Sequence, residues 1–197
     1  MQRTLVIFLK EPRPGRVKTR LGREIGMVEA AWWFRHQAGR LIRRLRRDRR
    51  WRTVLAVSPG REGLASRVWP ADLPRWPQGP GDLGCRMGRV FRAMPPKMPP
   101  GPVIIIGADI PGLRPAHVAE GFRLLGRHDA VLGPAPDGGY WMIGLRRSGR
   151  AVPAGLFDGV RWSSAHALAD TVASLAPLDV GFAATLRDVD EAADLHA

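Results

Sequence analysis

Cysteine and lysine are scarce in this chain, and both shortages narrow its interpretation. Cys85 is the only cysteine among the 197 residues, so no internal disulfide can form. A chain of this kind fits a cytoplasmic setting. Of the 31 basic residues only Lys10, Lys18 and Lys97 are lysines, and the rest are arginines. Two of the three lysines therefore fall in one short stretch near the N-terminus, which makes that stretch a candidate site.

Long apolar runs are also lacking. No run approaches the length of a membrane-spanning helix. The apolar stretch at the N-terminus is short and no small-residue cleavage site follows it, so it predicts a first strand and not a signal peptide. We find no internal repeat and no linker long enough to separate domains. The sequence therefore predicts one domain over residues 1–197, a length that can bury a full core.

Charge is abundant and unevenly spread. The formal net charge is +13. Residues 1–50 hold 15 Lys or Arg against 4 Asp or Glu, whereas residues 151–197 hold 2 against 7. A basic half attracts polyanions, which include nucleotides, nucleic acid and anionic lipid. Acidic residues in the other half are candidates for holding a cation.

The stretch from Val103 to Pro111 organises the rest of the chain. Four β-branched residues in a row predict a strand that is buried on both faces, as in the middle of a parallel sheet. Small residues follow, and then Asp109. The carboxyl end of such a strand is where ligands bind in open α/β sheets, and a carboxylate there can hold Mg²⁺ beside phosphates. Asp109 as a cap of the next turn is the alternative.

Strand and helix patterns alternate along the chain, which predicts an α/β fold with a mainly parallel sheet. The predicted strands are residues 4–9, 53–57, 103–106, 130–133 and 183–186, with a turn and a return strand over residues 134–145 and a short edge strand between 69 and 80. The predicted helices are residues 24–48, a segment starting near 83, 115–127, a segment from 162–164 to about 175 with Ser163 or Ser164 as N-cap, and a segment starting at Glu191. A proline-rich loop is predicted from residue 95 to 102.

A basic loop follows the first strand, from Lys10 to Leu21. Two prolines and a glycine exclude a regular element until about Val17. A strand, a basic loop with glycine and then a helix form a common arrangement for phosphates, because backbone N–H groups and cationic side chains point at the anion. Its glycine spacing matches neither the P-loop nor the dinucleotide fingerprint. A solvated basic loop is the simpler interpretation.

Several motifs, taken in order, resemble those of a known family. They are Lys10-x-Pro12-x-Pro14-Gly15-x-Val17-Lys18-Thr19-Arg20-Leu21, Gly81-Asp82-Leu83-Gly84-x-Arg86-Met87, Gly107-x-Asp109-x-Pro111-x-Leu113, Asp137-Gly138-Gly139-Tyr140 and Trp162-Ser163-Ser164. The chain resembles a bacterial family of glycosyltransferase-like proteins of unassigned activity, related to 2-phospholactate and molybdenum cofactor guanylyltransferases. The resemblance implies the three-layer Rossmann-like GT-A fold of the nucleotide-diphospho-sugar transferases. It also implies a nucleotide above the first strands and a divalent metal at Asp109.

These implications lead to one hypothesis, a Mg²⁺-dependent (or Mn²⁺-dependent) nucleotidyltransferase that moves a nucleoside monophosphate from an NTP to a small phosphorylated or hydroxyl acceptor. Lys18, Arg20, Asp109 and Asp137 are its predicted catalytic residues, and Asp109, Asp188 and Asp190 are its predicted metal ligands. The predicted nucleotide-binding residues are Lys10, Pro14, Gly15, Arg16, Lys18, Arg20, Gly81, Asp82 and Gly84. The predicted acceptor-binding residues are Asp137, Gly138, Gly139, Tyr140, Trp162 and Ser163.

Other functions fit parts of the sequence. A glycosyltransferase would use a nucleotide-sugar at the same site, with Asp137 as base. A non-catalytic member of the same fold would only bind its ligand or partner, and a nucleic-acid-binding protein would use the basic segment Arg40–Arg50. That segment lacks the stacking aromatics of an RNA-recognition sheet and any zinc-finger spacing, so no specific nucleic-acid partner is expected. The bland interpretations are that arginine stems cover the end of a helix, that Asp137 forms a turn, and that Asp190 caps the last helix.

Overall fold

A computed structural model describes residues 1–92, 101–146 and 152–196 of the chain. Seven strands form one sheet. The strands are β1 Thr4–Lys10, β2 Arg52–Ser58, β3 Arg75–Pro77, β4 Val103–Ile106, β5 Ala130–Pro134, β6 Tyr140–Leu145 and β7 Val180–Phe182. The helices are α1 Thr19–Ile25, α2 Met27–Leu45, α3 Gly60–Ala65, α4 Leu83–Arg92, α5 Pro115–Leu124 and α6 Ala167–Ser174, followed by a 3₁₀ helix at Ala192–His196.

The sheet has the strand order β3-β2-β1-β4-β6-β5-β7 and is mostly parallel. Strand β6 alone is antiparallel to its neighbours β4 and β5. From β1 the chain builds outward through β2 and β3 on one side, and then returns to place β4 on the other side of β1. A crevice opens where the strand order reverses in this way, outside the carboxyl ends of the strands.

Two hydrophobic cores lie on opposite faces of the sheet, as a three-layer α/β fold requires. Alternate residues of β1 show this directly. Leu5, Ile7 and Leu9 pack into one core with side chains of α2 and α5, whereas Val6 packs into the other core with side chains of α4. All four residues of β4 are buried, as the run of β-branched residues predicts. The three-layer Rossmann-like fold is therefore confirmed. No helix in the described part of the chain is long and apolar enough to cross a membrane.

The predicted helix over residues 24–48 is wrong in one respect. Two helices replace it, because α1 ends at Ile25 and α2 begins at Met27. Gly26 lies between them with a φ of 100°, a conformation that interrupts a helix and that few other residues adopt. The apolar periodicity continues through the break, which is why the pattern hides it. Helix α3 was not predicted at all.

The last third of the chain also departs from expectation. Helix α6 begins at Ala167 with His166 as its N-cap, and neither Ser163 nor Ser164 caps it. Ser164 Oγ instead donates to Arg161 O at 2.7 Å and accepts from His166 N at 3.2 Å, which closes a turn. The last strand lies at Val180–Phe182 and not at residues 183–186, although Ala183 N and Leu186 N still donate to Leu132 O and Pro134 O of β5.

The terminal helix is a short 3₁₀ helix, and Asp190 does not cap it. Asp194 Oδ2 fills that role by accepting from Asp190 N at 3.0 Å and from Glu191 N at 3.1 Å. The carboxylate of Asp190 is thereby free to point elsewhere. The predicted proline-rich loop falls almost entirely outside the described residues.

Candidate active site

A groove with a volume of about 810 Å³ lies over the carboxyl ends of β1 and β4. Its position follows from the topology, since β1 and β4 are the neighbours at which the strand order reverses. Side chains from distant parts of the chain line it. They include Lys10, Lys18, Arg20, Gln78, Asp82, Arg86, Asp109, Asp137, Trp162, Ser163, Asp188 and Asp190. Basic and acidic groups thus share one cleft.

Three carboxylates meet at the centre of this groove. One ligand oxygen from each of Asp109, Asp188 and Asp190 lies within 4.8 Å of the others. Val189 N donates to Asp109 O at 3.2 Å, and this backbone bond fixes the late segment against the end of the central strand. Within the residues that the structure describes, these three carboxylates are the group of acidic, His or Cys side chains that could hold a metal ion.

Lys18 reaches into the same cluster from the basic loop. Its Nζ lies 2.5 Å from Asp109 Oδ2 and 2.8 Å from Asp190 Oδ1, and its side chain is only 8% exposed. Burial disfavours the charged amine, but the neighbouring Asp109 and Asp190 carboxylates outweigh it, so the pKa of Lys18 is raised. Arg20 Nη1 also contacts Asp190, at 3.2 Å. The loop and the tail are therefore joined by charge.

Asp188 is a partly buried acid of the group. Burial, followed by the nearby Asp109 carboxylate, raises the pKa of Asp188 to about 6, and the Lys18 ammonium opposes that rise. A carboxyl in such surroundings gains from an additional cation, because a positive charge at ligand distance favours its ionised form.

The rest of the basic loop divides into two parts. Lys10 and Arg20 line the groove. Arg16 does not, since its guanidinium lies 3.9 Å from Glu62, which also pairs with Arg13 at 3.1 Å. Pro14 and Gly15 are exposed and also lie outside the groove lining. Lys10, Lys18 and Arg20 thus all line the groove, whereas residues 14–16 do not.

The second glycine loop contributes the side chain of Asp82 to the groove. Asp82 lines the groove, and its Oδ1 accepts from Cys85 N at 2.8 Å at the start of α4; this hydrogen bond lowers the pKa of Asp82. Gly81 adopts a φ of 98°. Gly84 allows close packing, since a side chain there would meet Phe157 and Trp162. Neither glycine lines the groove.

The Asp137 turn lies on the other side of the cluster. Asp137 Oδ1 accepts from Gly139 N at 2.9 Å, and the residue still lines the groove. Gly138 touches the backbone of Ala165 so closely that a Cβ would collide with it. Tyr140 is half-buried and its hydroxyl lies 3.3 Å from Thr171 Oγ1, while burial raises the pKa of the phenol well above its usual value. Trp162 packs edge-on to Tyr140 at 6.5 Å.

Gln78 belongs to the groove but not to the predicted site. Its buried amide Nε2 donates to Leu9 O at 3.1 Å and to Ala56 O at 2.9 Å, which clamps the ends of β1 and β2. Arg86 Nη1 donates to Gln78 Oε1 at 3.1 Å, so Gln78 orients an arginine at the groove wall. Arg86 stands in one of the recognised motifs, whereas nothing in the sequence pattern singles out Gln78.

Residues 41–164 match the protein family described as "Uncharacterized protein conserved in bacteria (DUF2064)". The chain belongs to this family. A comparison with curated proteins gives no match.

Solved structures agree with the fold. One from Desulfovibrio desulfuricans G20, proposed to be a nucleotide-diphospho-sugar transferase, shares 31% identity with this DUF2064 chain. The alignment covers 97% of this chain and 84% of that one, with a TM-score of 0.81. A Mycobacterium sp. strain JC1 homologue of Rv0371c has 11% identity over 100% and 95% of the two chains and a TM-score of 0.56. Rv0371c of Mycobacterium tuberculosis H37Rv in complex with manganese has 14% identity over 100% and 97%, and a TM-score of 0.54. The last two show the fold alone.

The contacts of the acidic tail allow a prediction for this DUF2064 protein. Changing both Asp188 and Asp190 to Asn should weaken Mg²⁺-dependent binding of a nucleoside triphosphate by at least roughly 10- to 100-fold, the range known for loss of groups that only orient metal ligands. The physical reason is that two of the three carboxylates in the cluster lose their charge. Titration calorimetry with and without Mg²⁺ measures the effect.

Asp194→Ala is the matched control on the same segment. It removes the acceptor for Asp190 N and Glu191 N. Loss of such a cap costs about 1 kcal/mol of folding free energy. For a chain of this size that lowers Tm by about 2–4 °C, and Mg²⁺ dependence should remain. A double variant with lowered Tm and unchanged nucleotide affinity would return Asp188 and Asp190 to a structural role.

Proposed function

We propose that this chain is a divalent-metal-dependent nucleotidyltransferase that moves a nucleoside monophosphate from an NTP to a small acceptor. One observation carries the proposal: a basic loop and a three-carboxylate cluster meet in one groove at the switch point of the sheet. Carboxylates gathered beside a polyphosphate repel it unless a cation lies between them. The groove supplies both halves of such an arrangement.

The donor set suits Mg²⁺ or Mn²⁺. Asp109, Asp188 and Asp190 offer carboxylate oxygens, which these hard cations prefer, and the cluster contains no thiolate or imidazole. A distant structural relative is in complex with manganese. Bound there, the ion would neutralise charge that develops on the reacting phosphate.

The side chains of the groove fit the remaining tasks. Lys18 and Arg20 hold the β- and γ-phosphates through charge-assisted hydrogen bonds, with Lys10 and Arg86 on the same walls. A hydroxyl oxygen of the acceptor attacks the α-phosphorus and forms a new P–O bond, while the bond to the bridging oxygen of the β-phosphate breaks. Pyrophosphate leaves with the electron pair, and Asp137 accepts the hydroxyl proton. Alignment and charge neutralisation supply most of the rate in such reactions.

A glycosyltransferase is the second candidate, and the relative with 31% identity favours it. In that reaction the acceptor attacks the sugar carbon of a nucleotide-sugar and the nucleoside diphosphate leaves. The same groove, cation and Asp137 would serve. The two reactions differ in their leaving group, which is pyrophosphate in one and a nucleoside diphosphate in the other.

That difference provides the test. The purified chain is incubated with Mg²⁺, a panel of candidate acceptors and either labelled NTPs or labelled nucleotide-sugars, and pyrophosphate and free nucleoside diphosphate are scored separately. Pyrophosphate that depends on both an acceptor and Asp109 supports nucleotidyl transfer. Nucleoside diphosphate released only from nucleotide-sugars supports glycosyl transfer and overturns the first proposal.

A nucleic-acid-binding role has less support from the basic segment. Several of its arginines have structural partners: Arg46 pairs with Asp72, Arg50 pairs with Asp48, and Arg44 donates to Leu113 O at 2.7 Å. We accordingly propose no specific nucleic-acid partner. High affinity for random duplex DNA at moderate salt would contradict this. The single-domain organisation and the cytoplasmic location remain predictions.

A further inference from the structure

A second cavity, of about 220 Å³, opens beside the acidic cluster and differs from the groove in chemistry. Both cavities share Asp109, Asp137, Asp188 and the Trp162–Ser164 turn in their linings. Beyond that shared wall the smaller cavity is apolar. Its lining includes Phe8, Met87, Ile105, Tyr140, Met142, Ile143, Trp162 and Ala167.

Charge is distributed unequally between the two cavities. The lining of the smaller one includes the carboxylates of Asp109, Asp137 and Asp188 and, among described residues, no lysine or arginine. All of the cationic side chains at the site line the larger groove, namely Lys10, Lys18, Arg20 and Arg86. The larger groove therefore suits a polyphosphate, and the smaller cavity does not suit an anion.

From this contrast we infer that the acceptor is an uncharged or cationic hydroxyl compound with an apolar body about the size of one ring, and that phosphorylated acceptors are excluded. The inference rests on the proposed function, because it assigns the smaller cavity to the acceptor of that reaction. It narrows the acceptor class, which the sequence leaves open between phosphate and hydroxyl nucleophiles. The hydroxyl lies at the carboxylate mouth and the ring lies among the apolar side chains.

The size of the cavity sets the size of the apolar body. An apolar cavity of roughly 150 Å³ is sufficient for benzene. The 220 Å³ here leaves space for a ring with a short substituent. Trp162 packs against both Tyr140 and Phe157, at centroid distances of 6.5 and 5.8 Å. These ring contacts stabilise the position of Trp162 in the aromatic wall of the cavity. A flat apolar group would pack well against such a wall.

Electrostatics exclude the anionic alternative. An acceptor phosphate in this cavity would lose water without gaining a cationic partner, and burial of an unpaired charge is costly. At the mouth it would face Asp109, Asp137 and Asp188. A divalent ion and Lys18 do not reverse this balance, because Asp190 and the incoming triphosphate add further negative charge. A cationic acceptor, in contrast, would gain from the carboxylates.

Methyl NMR tests the inference without relying on turnover. The chain is labelled at methionine methyl groups and titrated, with Mg²⁺ present, with benzyl alcohol, benzylamine and benzyl phosphate. Met87 and Met142 line the cavity and report on it, whereas Met27 lines neither cavity and serves as the internal control. We expect benzyl alcohol and benzylamine to shift the signals of Met87 and Met142 and not that of Met27. Benzyl phosphate should bind at least roughly tenfold more weakly, a difference in binding free energy of about 1.4 kcal/mol.

Leu83 offers a variant that introduces a positive charge. It lies at the mouth, lines both cavities and is 36% exposed, so a longer polar side chain can extend into solvent. Leu83→Arg should raise the affinity for benzyl phosphate about tenfold, as expected when an anion gains a charged partner. Leu83→Gln, similar in length but neutral, should leave the affinity for benzyl phosphate low.

The outcomes separate the two proposals. Benzyl phosphate that binds as well as benzyl alcohol, or an alcohol and an amine that leave Met87 and Met142 unshifted, overturns the assignment of the cavity. Binding of ATP and GTP in the presence of Mg²⁺ is titrated on the same sample. If neither nucleotide binds but the alcohol still shifts both methionines, the nucleotidyltransferase proposal fails and the ligand preference of the cavity stands.

Discussion

Replacing Asp109 by Asn should reduce affinity for Mn²⁺ by on the order of 100-fold or more, since loss even of groups that only orient a ligand costs 10- to 100-fold. Asp109 is the one carboxylate of the cluster that follows the central strand, and Asp188 and Asp190 come to it from the tail. Its loss leaves two acids that are also engaged by Lys18 or buried. Metal-dependent binding of a triphosphate should fall with it. Electron paramagnetic resonance of Mn²⁺ measures the first effect and calorimetry the second.

Asp137→Asn is the matched control, because Asp137 lines the same groove but lies outside the cluster. It should retain far more of the Mn²⁺ affinity and lose turnover. Melting temperature is measured for both variants, since Asp109 also pairs with Lys18. An Asp109→Asn variant that folds and binds Mn²⁺ as tightly as the unaltered chain would reduce Asp109 to a structural ion-pair partner.

The position of this site was predictable because one pattern is unusually informative. Four β-branched residues followed by small residues and Asp109 indicate a central strand and its carboxyl end. Chain connectivity then determines where ligands bind, since a crevice forms at the reversal of strand order. The role of the tail could not be derived from spacing alone. At least 79 residues separate the tail from Asp109, and only the charge contrast between the acidic tail and the basic loop suggested that the two meet; in the structure both aspartates lie at the cluster.

Sequence patterns did not predict the features that depend on tertiary contacts. The amide of Gln78 donates to two carbonyl groups at the ends of neighbouring strands, and no local sequence pattern predicts this pair of hydrogen bonds. Arg16 looks equivalent to Arg20 in the loop, yet Glu62 of the unpredicted helix α3 binds it. Lys18 is another case, because its two carboxylate partners, Asp109 and Asp190, come from distant parts of the chain. Side-chain partners 46 to 172 residues away are not encoded in local periodicity.

Lys18→Ala and Arg20→Ala should each weaken nucleoside triphosphates roughly 10- to 100-fold, because a hydrogen bond to a charged group is worth about 1.5–3 kcal/mol. The corresponding nucleosides should bind almost as before, since the lost contacts are to phosphate. Lys18→Ala should have the larger effect. It removes the ammonium that lies between Asp109 and Asp190, so the carboxylates then repel the polyphosphate more strongly.

Arg16→Ala is the control on the same loop. Its guanidinium is directed at Glu62 and does not line the groove, so triphosphate affinity should change little although the charge of the loop falls by the same amount. This comparison separates a specific phosphate contact from the general attraction of a basic surface. Calorimetry of a triphosphate and its nucleoside on all three variants, at two salt concentrations, provides the measurement. An equal loss for triphosphate and nucleoside, or an Arg16→Ala loss as large as that of Arg20→Ala, would contradict the assignment. In the second case only long-range charge attracts the nucleotide, and salt should then reduce affinity to the same degree in every variant.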